Sequence, residues 1–147
     1  TLRSAFLGIR AAGRHMIASG TGGRIVTIGS ISAQAAGAGP PIYSTAKAAL
    51  VRLTQNAAAE LAPHGIRVNS ISPGLILTEA MRSAGFEESH AARLQPLAKA
   101  GLPADVGDAV VFLAGPAAGF VAGADLVVDG AALAEGVGLY AKLGFDG

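Results

Sequence analysis

The fold is decided by two short runs of sequence, Arg24-Ile25-Val26-Thr27-Ile28-Gly29 and Ile66-Arg67-Val68-Asn69-Ser70-Ile71. The first has the length and the β-branched side chains of a strand. The second also predicts a strand, which we expect Pro73-Gly74 to break. A third strand is predicted over residues 125–128, Asp-Leu-Val-Val. The chain therefore offers three strands, well separated along the sequence.

Helical spacing fills the segments around these strands. Apolar residues recur at helical intervals from Leu2 to Met16, and the glycine-rich turn at residues 18–23 ends that helix. A second helix is predicted over residues 43–62, which contain no glycine or proline, and Val106 begins the apolar stripe of a third. Strands separated by helices in this way predict parallel βαβ units in a doubly wound, Rossmann-like α/β sheet.

The connections after the first and second strands are long. Residues 30–42 are predicted to form a loop of small residues that ends in Pro40-Pro41 and leads into the second helix. Residues 75–103 are polar and irregular with scattered apolar side chains, as expected of a mobile lid or a long crossover, and we predict a substrate lid. A sheet of only three strands leaves one edge and much apolar helix surface unmatched. We therefore expect further sequence upstream or a second chain against that surface.

The composition is typical of one packed globular unit. The 147 residues are 51% hydrophobic and 14% charged, with a formal net charge of +1. No long run of one sign attracts nucleic acid or anionic lipid, and the longest apolar stretch, residues 109–124, is too short to span a membrane. There is no cysteine, and the three histidines lack paired metal-ligand spacing, so we predict no metal site. A cysteine-free chain is compatible with reducing surroundings, and we expect a cytoplasmic protein.

The candidate chemistry lies around Tyr43. Tyr43 and Lys47 are one helical turn apart, so both side chains can approach one ligand. A phenol has a reference pKa of about 10, and an adjacent ammonium favours the phenolate, so Lys47 would activate Tyr43 as an acid–base group. Ser30 follows the first strand, where ligands of doubly wound sheets gather, and could hold a substrate oxygen. Alone, a Tyr-x-x-x-Lys pair is weak evidence, because a tyrosine that opens a helix is usually a packing residue.

Several further motifs occur in a fixed order with this pair. They are Ser30, Tyr43-Ser44-Thr45-Ala46-Lys47, Asn69-Ser70-Ile71-Ser72-Pro73-Gly74-Leu75-Ile76-Leu77-Thr78, Leu97-Ala98-Lys99-Ala100-Gly101-Leu102-Pro103-Ala104-Asp105-Val106 and Val128-Asp129-Gly130. In these motifs the sequence resembles the short-chain dehydrogenase/reductase family over about residues 1–130. The family's glycine-rich dinucleotide turn has no counterpart here. The resemblance therefore implies that residues 1–147 are a single partial domain, the C-terminal catalytic and substrate half, with the N-terminal dinucleotide-binding half missing.

The resemblance implies hydride exchange between NAD or NADP and a secondary alcohol or ketone. Ser30 would orient the substrate oxygen, Tyr43 would transfer the proton, and Lys47 would tune Tyr43 while bonding the nicotinamide ribose. Besides Tyr43 and Lys47, the cofactor-binding positions of the family correspond to Pro73, Gly74, Ile76 and Thr78. Pro-Gly is also a common turn, and Thr78 could simply cap a helix.

Two residues and the C-terminal segment need interpretation beside the family pattern. Thr1 stands where the family has a further catalytic asparagine, and threonine has no amide for that role. Asn69 is interpreted as a structural residue of its strand. Residues 131–147 form a longer tail than the family minimum, in which Tyr140 and its apolar neighbours could dock on another subunit or cover the active site.

A second stripe on the predicted 43–62 helix bears on assembly. Its residues are mostly small and face away from the core stripe: Ala48, Val51, Gln55, Ala59 and Ala62. Close helix pairing explains such a face, so we expect a homodimer or homotetramer through this helix, in agreement with family habit. In the predicted lid, Met81, Phe86 and Leu94 suggest a fairly apolar small-molecule substrate.

Two functions stay open at this point. One is an active NAD(P)-dependent alcohol dehydrogenase or ketone reductase, favoured by Ser30, Tyr43 and Lys47. The other is a truncated, catalytically inactive module that folds by oligomerisation or with a complementary fragment, favoured by the missing phosphate-binding turn.

Overall fold

The structure, a computed structural model, describes residues 2–35 and 39–135, without the side chain of His90. Its main elements are α1 (Leu2–Ser19), β1 (Gly23–Ile28), α2 (Pro41–Leu61), β2 (Ile66–Pro73), α3 (Glu79–Ser83), α4 (Glu88–Arg93), α5 (Pro103–Ala114), β3 (Asp125–Val128) and α6 (Ala132–Glu135). Short 3-10 turns lie at Ile31–Ala33, Ala62–His64 and Pro116–Ala118. The three predicted strands and the three longer predicted helices are all present.

The strands form one parallel sheet in the order β1-β2-β3. Ile25 of β1 pairs with Val68, and Ile71 pairs with Leu126 of β3, so β2 lies in the middle. This parallel sheet with its connecting helices confirms the predicted Rossmann-like α/β class. Within the described residues, β1 has a neighbouring strand on one side only.

Helices cover both faces of the sheet. Successive side chains of a strand point to opposite faces, and β2 has apolar side chains on each face that the helices bury. On one face Ile66 and Val68 are fully buried in a cluster with Ile9 of α1 and residues of α2. On the other face Ile71 is buried against Leu113 of α5. Full burial of such an aliphatic side chain contributes about 1.5–3 kcal/mol, so β2 holds both layers together.

Two polar side chains of β2 fix the segments around β3. Asn69 is 1% exposed, donates to the Val121 carbonyl at 3.0 Å and accepts from the Ala124 N–H at 3.0 Å. Arg67 donates to carbonyls at the C-terminal end of α5, including that of Leu113 at 2.8 Å. A cation suits that end of a helix, where unpaired carbonyls carry partial negative charge. Asn69 therefore has the structural role that its sequence context indicated.

Two boundaries differ from the sequence predictions, and both lie at prolines. α2 begins at Pro41 rather than at residue 43, because a proline lacks an N–H and suits the first turn of a helix. β2 continues through Pro73, where a break was predicted. Since β1 already ends at Ile28, opposite Ile71, no β1 carbonyl needs a hydrogen bond from position 73.

The segment of residues 75–103 contains α3 and α4 and has a small core of its own. Leu77 is 1% exposed, and Phe86 packs against its cluster. Leu94 is buried in another cluster, with Ile31 from the turn after β1. Most of the larger apolar side chains of this segment therefore pack into the domain, whereas Leu97 is exposed.

The outer face of α1 carries several exposed apolar side chains beside its arginines. Its buried residues are Ile9 and Gly13, whereas Leu2, Phe6 and Ile17 are exposed. Even so, none of the helices in the described part of the chain combines the length and the apolar content needed to cross a membrane.

Candidate active site

A cavity of about 440 Å³ opens at the carboxyl ends of β1 and β2. This volume is in the range of small-molecule binding sites. The residues singled out from the sequence as catalytic or cofactor-binding all border it: Ser30, Tyr43, Lys47, Pro73, Gly74, Ile76 and Thr78. The parallel register explains their convergence, because β1 and β2 end side by side and the segments that follow them meet at one edge.

A close approach of two strands positions Ser30. Gly29 is buried, and a Cβ there would lie 2.8 Å from Oγ of Ser72, so β1 and β2 come this close only with glycine at position 29. Ser30 follows in an extended conformation and caps the 3-10 turn Ile31–Ala33. Its Oγ accepts hydrogen bonds from the N–H and the hydroxyl of Ser32, at 3.2 and 2.9 Å.

Tyr43 and Lys47 lie in the first two turns of α2 and face the same cavity. The Tyr43 side chain is 44% exposed. Lys47 donates from Nζ to the Ile28 carbonyl at 2.8 Å, and the same Nζ lies 5.6 Å from the centre of the Tyr43 ring. The end of β1 thereby fixes the ammonium beside the phenol, where the ring face also attracts it.

The chain that follows β2 forms the opposite wall. Gly74 donates its N–H to the end of β3 at 3.0 Å, and Ile76 forms a single parallel bridge with Gly101. Thr78 caps α3 by accepting a hydrogen bond from the Met81 N–H at 3.4 Å, and it also borders the cavity. Thr78 therefore has the capping role that the sequence left open, in a position where its side chain can still reach a ligand.

The polar groups that line the cavity fit part of a nicotinamide cofactor. Among its described lining residues the charged side chain is Lys47, and the hydroxyl groups are those of Ser30, Tyr43 and Thr78. Hydroxyl groups and one cation suit a ribose and a nearby phosphate, while the remaining, largely apolar wall suits a flat ring. The described part of the chain has no group of three or more His, Asp or Glu side chains that could hold a metal ion.

Some site residues were not predicted from the sequence. Leu75, Pro103 and Val106 border the cavity, as does Met81, which was expected there. Apolar side chains carry no sequence signal that separates a cavity wall from a core, and α5 reaches this wall only through tertiary packing. Ser32 had a weak signal, a second serine two positions after Ser30. Phe86 and Leu94 were expected to shape the substrate pocket, but they pack in the clusters described above.

A family comparison agrees with this geometry. The model of the family described as Enoyl-(Acyl carrier protein) reductase matches residues 1–131. The chain belongs to the short-chain dehydrogenase/reductase family. Within this family the chain spans about half the length of the curated relatives it matches.

Individual short-chain dehydrogenases show the same extent of similarity. L-rhamnose 1-dehydrogenase (NAD(P)(+)) of Sphingomonas sp. (strain SKA58) is 39% identical over 132 residues, which are 88% of this chain and 52% of that protein. (3R)-3-hydroxyacyl-CoA dehydrogenase of Mus musculus is 38% identical over 130 residues, 88% of this chain and 50% of that protein. The solved structure of ElxO with NADP bound has a TM-score of 0.77 and 33% identity, covering 88% of this chain and 54% of that chain.

Several predictions about the ends of the chain fall outside the described residues. They concern Thr1 and residues 136–147, which include Tyr140 and most of the predicted tail. The expectation of a separate dinucleotide-binding half also stays a prediction.

Proposed function

We propose that this short-chain dehydrogenase/reductase transfers a hydride between NAD or NADP and a secondary alcohol or ketone, with Ser30, Tyr43 and Lys47 as catalytic residues. The convergence of these three residues on one cavity carries the proposal. The relatives of this chain include NAD(P)-dependent dehydrogenases, and this similarity supports NAD or NADP as the cofactor. In this proposal residues 1–147 are the catalytic and substrate half of the domain, with residues 75–103 as the substrate lid.

Both walls of the cavity would hold the cofactor. Tyr43 and Lys47 would contact it from α2, and the opposite wall would contribute Pro73, Gly74, Ile76 and Thr78. When bound, the nicotinamide supplies the acceptor or donor of the hydride. The chain itself then has to orient the substrate oxygen and move one proton.

Tyr43 performs the proton transfer in this proposal. Its phenol gives a proton to the carbonyl oxygen of a ketone, or as phenolate takes the proton of an alcohol. Ser30 donates a hydrogen bond to the same substrate oxygen. Lys47, held by the Ile28 carbonyl, places a positive charge beside Tyr43 that offsets the negative charge left when the phenol loses its proton.

The replacement Tyr43→Phe tests this function in the whole protein. Because general acid–base catalysis contributes about 100-fold to 10,000-fold, turnover of a secondary-alcohol panel should fall at least about 100-fold. The unfolding temperature should stay near that of the wild type, because the half-exposed Tyr43 ring is retained. Turnover within a few-fold of the wild type would remove Tyr43 from the mechanism.

We also propose that α2 contributes to a homodimer or homotetramer. Of the predicted stripe, Ala48, Ala59 and Ala62 are exposed, while Val51 and Gln55 are half-buried. Beside it, a groove of about 490 Å³ runs between α1 and α2, with Leu2, Phe6 and Leu53 in its wall. Small and apolar exposed groups on neighbouring helices favour close packing against a second copy. Sedimentation of the whole protein as a monomer at micromolar concentration would contradict this assembly.

A groove in the structure supports the inactive-module hypothesis as well. Beside β1 lies an open groove of about 440 Å³, lined in part by Gly8, Ile9 and Ile25. Within the part of the chain that the structure describes, this edge of β1 has no partner strand, and such an edge next to an apolar groove suits a complementary strand. This hypothesis predicts a protein that associates but does not turn over any alcohol or ketone, so the turnover assay separates the two. For either function we place the protein in the cytoplasm, which suits its cysteine-free composition.

A further inference from the structure

The hydroxyl of Ser30 receives two hydrogen bonds from one neighbour, Ser32. The Ser32 N–H donates to Ser30 Oγ at 3.2 Å, and the Ser32 hydroxyl donates to the same oxygen at 2.9 Å. Ser32 is 4% exposed, so water does not compete freely for its hydroxyl. Ser32 is not a lining residue of the cavity that Ser30, Tyr43 and Lys47 border.

These two bonds fix what the Ser30 hydroxyl can do. A hydroxyl has two acceptor lone pairs and one proton to donate. Because Ser32 fills both acceptor positions, Ser30 is left to act as a donor. Ser30 borders the cavity, so the remaining direction for its proton is towards a ligand there.

The turn that carries Ser32 is held from two sides. Ile31 is 6% exposed and packs in the cluster that contains Leu94. Gln34 donates from Nε2 to the carboxylate of Asp125 on β3 at 2.6 Å. Ser32 lies between these two anchors, so its donors are held in place before any substrate arrives.

We infer that Ser32 is a positioning residue that makes Ser30 an obligate hydrogen-bond donor to the substrate oxygen. The inference rests on the proposed function, because it assigns Ser30 to that oxygen. A donor is matched to a ketone oxygen and still better to the negative oxygen that develops during hydride transfer. Hydrogen bonds in a chain also polarise one another, so the Ser32 hydroxyl strengthens the donor power of Ser30. Ser32 should therefore affect turnover more than substrate binding.

The kinetic test replaces Ser32 by alanine in the whole protein. Loss of one neutral hydrogen bond should lower kcat about threefold to tenfold with little change in KM. Ser32→Thr, which keeps a hydroxyl, should recover most of the loss. In a Ser30→Ala background the same Ser32→Ala change should have almost no further effect, because the group it positions is gone. Ser44→Ala is the matched control and should keep wild-type turnover. Ser44 is a half-buried serine whose hydroxyl donates to the Gly39 carbonyl at 3.3 Å.

A crystal structure of Ser32→Ala gives a readout that does not depend on turnover. The Ser30 side chain should occupy more than one rotamer, whereas in the wild type it should occupy one. Two results would overturn the role of Ser32. One is a single Ser30 rotamer in the Ser32→Ala structure, as in the wild type. The other is a loss of kcat from Ser32→Ala that is as large in the Ser30→Ala background as in the wild-type background. If the wild type turns over nothing but the rotamers respond as expected, the proposed function fails while the positioning role stands.

Discussion

Gly74 lies at the end of β2, on the proposed cofactor wall, and is packed against the chain that follows β3. A Cβ at this position would lie 2.7 Å from Cβ and 2.8 Å from Cα of Asp129. Asp129 cannot move aside easily, because its carboxylate accepts from the N–H groups of Ala131 and Leu133 at 2.9 and 2.7 Å. Since Gly74 is not among the glycines with positive φ, the cost of Gly74→Ala is steric.

The magnitude follows from two opposing effects. Forcing a methyl group into a packed site costs about 1–3 kcal/mol, and the reduced freedom of alanine in the unfolded chain offsets about 0.4–1 kcal/mol of it. We expect Gly74→Ala to lower the free energy of unfolding by about 1–2 kcal/mol. Gly107→Ala is the matched control, since Gly107 is exposed within α5 and a Cβ there meets nothing within 4 Å. This control should raise the free energy of unfolding by about 0.5–1 kcal/mol.

Guanidinium unfolding of the whole protein, followed by circular dichroism, measures both variants. Because the end of β2 also forms the cavity wall, Gly74→Ala should weaken binding of reduced cofactor, and Gly107→Ala should not. If Gly74→Ala were as stable as Gly107→Ala, the close approach between β2 and the segment after β3 would be refuted.

Two further predictions concern structural side chains. Asn69→Ala leaves the Ala124 N–H unpaired, while the Val121 carbonyl keeps a hydrogen bond from Arg67 at 3.2 Å, so the change should cost about 1–3 kcal/mol. Asn56→Ala on the exposed face of α2 should cost little in the same unfolding assay. A hydrogen bond from the Leu102 N–H lowers the pKa of the Asp105 carboxyl below its ordinary value of 3.8, and a hydrogen bond from the Lys99 ammonium lowers it further. The ionised Asp105 carboxylate should stabilise the fold above pH 3.8, and this stabilisation should be lost as the pH falls through the lower pKa of the folded state. Unfolding temperatures measured against pH should show this loss in the control variant Asp108→Ala but not in Asp105→Ala.

Sequence patterns were sufficient where one local signal decides the structure. The β-branched run of β1 and the uninterrupted helical spacing of α2 predicted both elements and their order. The one-turn spacing of Tyr43 and Lys47 also placed both on one cavity, because helix geometry alone fixes that relation.

Features that depend on neighbouring segments were harder to predict. Pro73 belongs to β2 because β1 ends before it, which no pattern within β2 reveals. Phe86 and Leu94 look like a substrate pocket in the sequence, but tertiary packing places them in two cores. The bonds from Ser32 to Ser30 arise from the turn that follows β1, which was predicted to be part of a loop of small residues.

Direct transfer of a labelled hydride tests the central claim. The whole protein is incubated with oxidised cofactor and secondary alcohols that carry deuterium on the carbinol carbon, and the reduced cofactor is weighed by mass spectrometry. The account predicts reduced cofactor that has gained one deuterium, at a rate that Tyr43→Phe lowers at least about 100-fold. Reduced cofactor without deuterium, or deuterium transfer that is as fast in Tyr43→Phe as in the wild type, would contradict it.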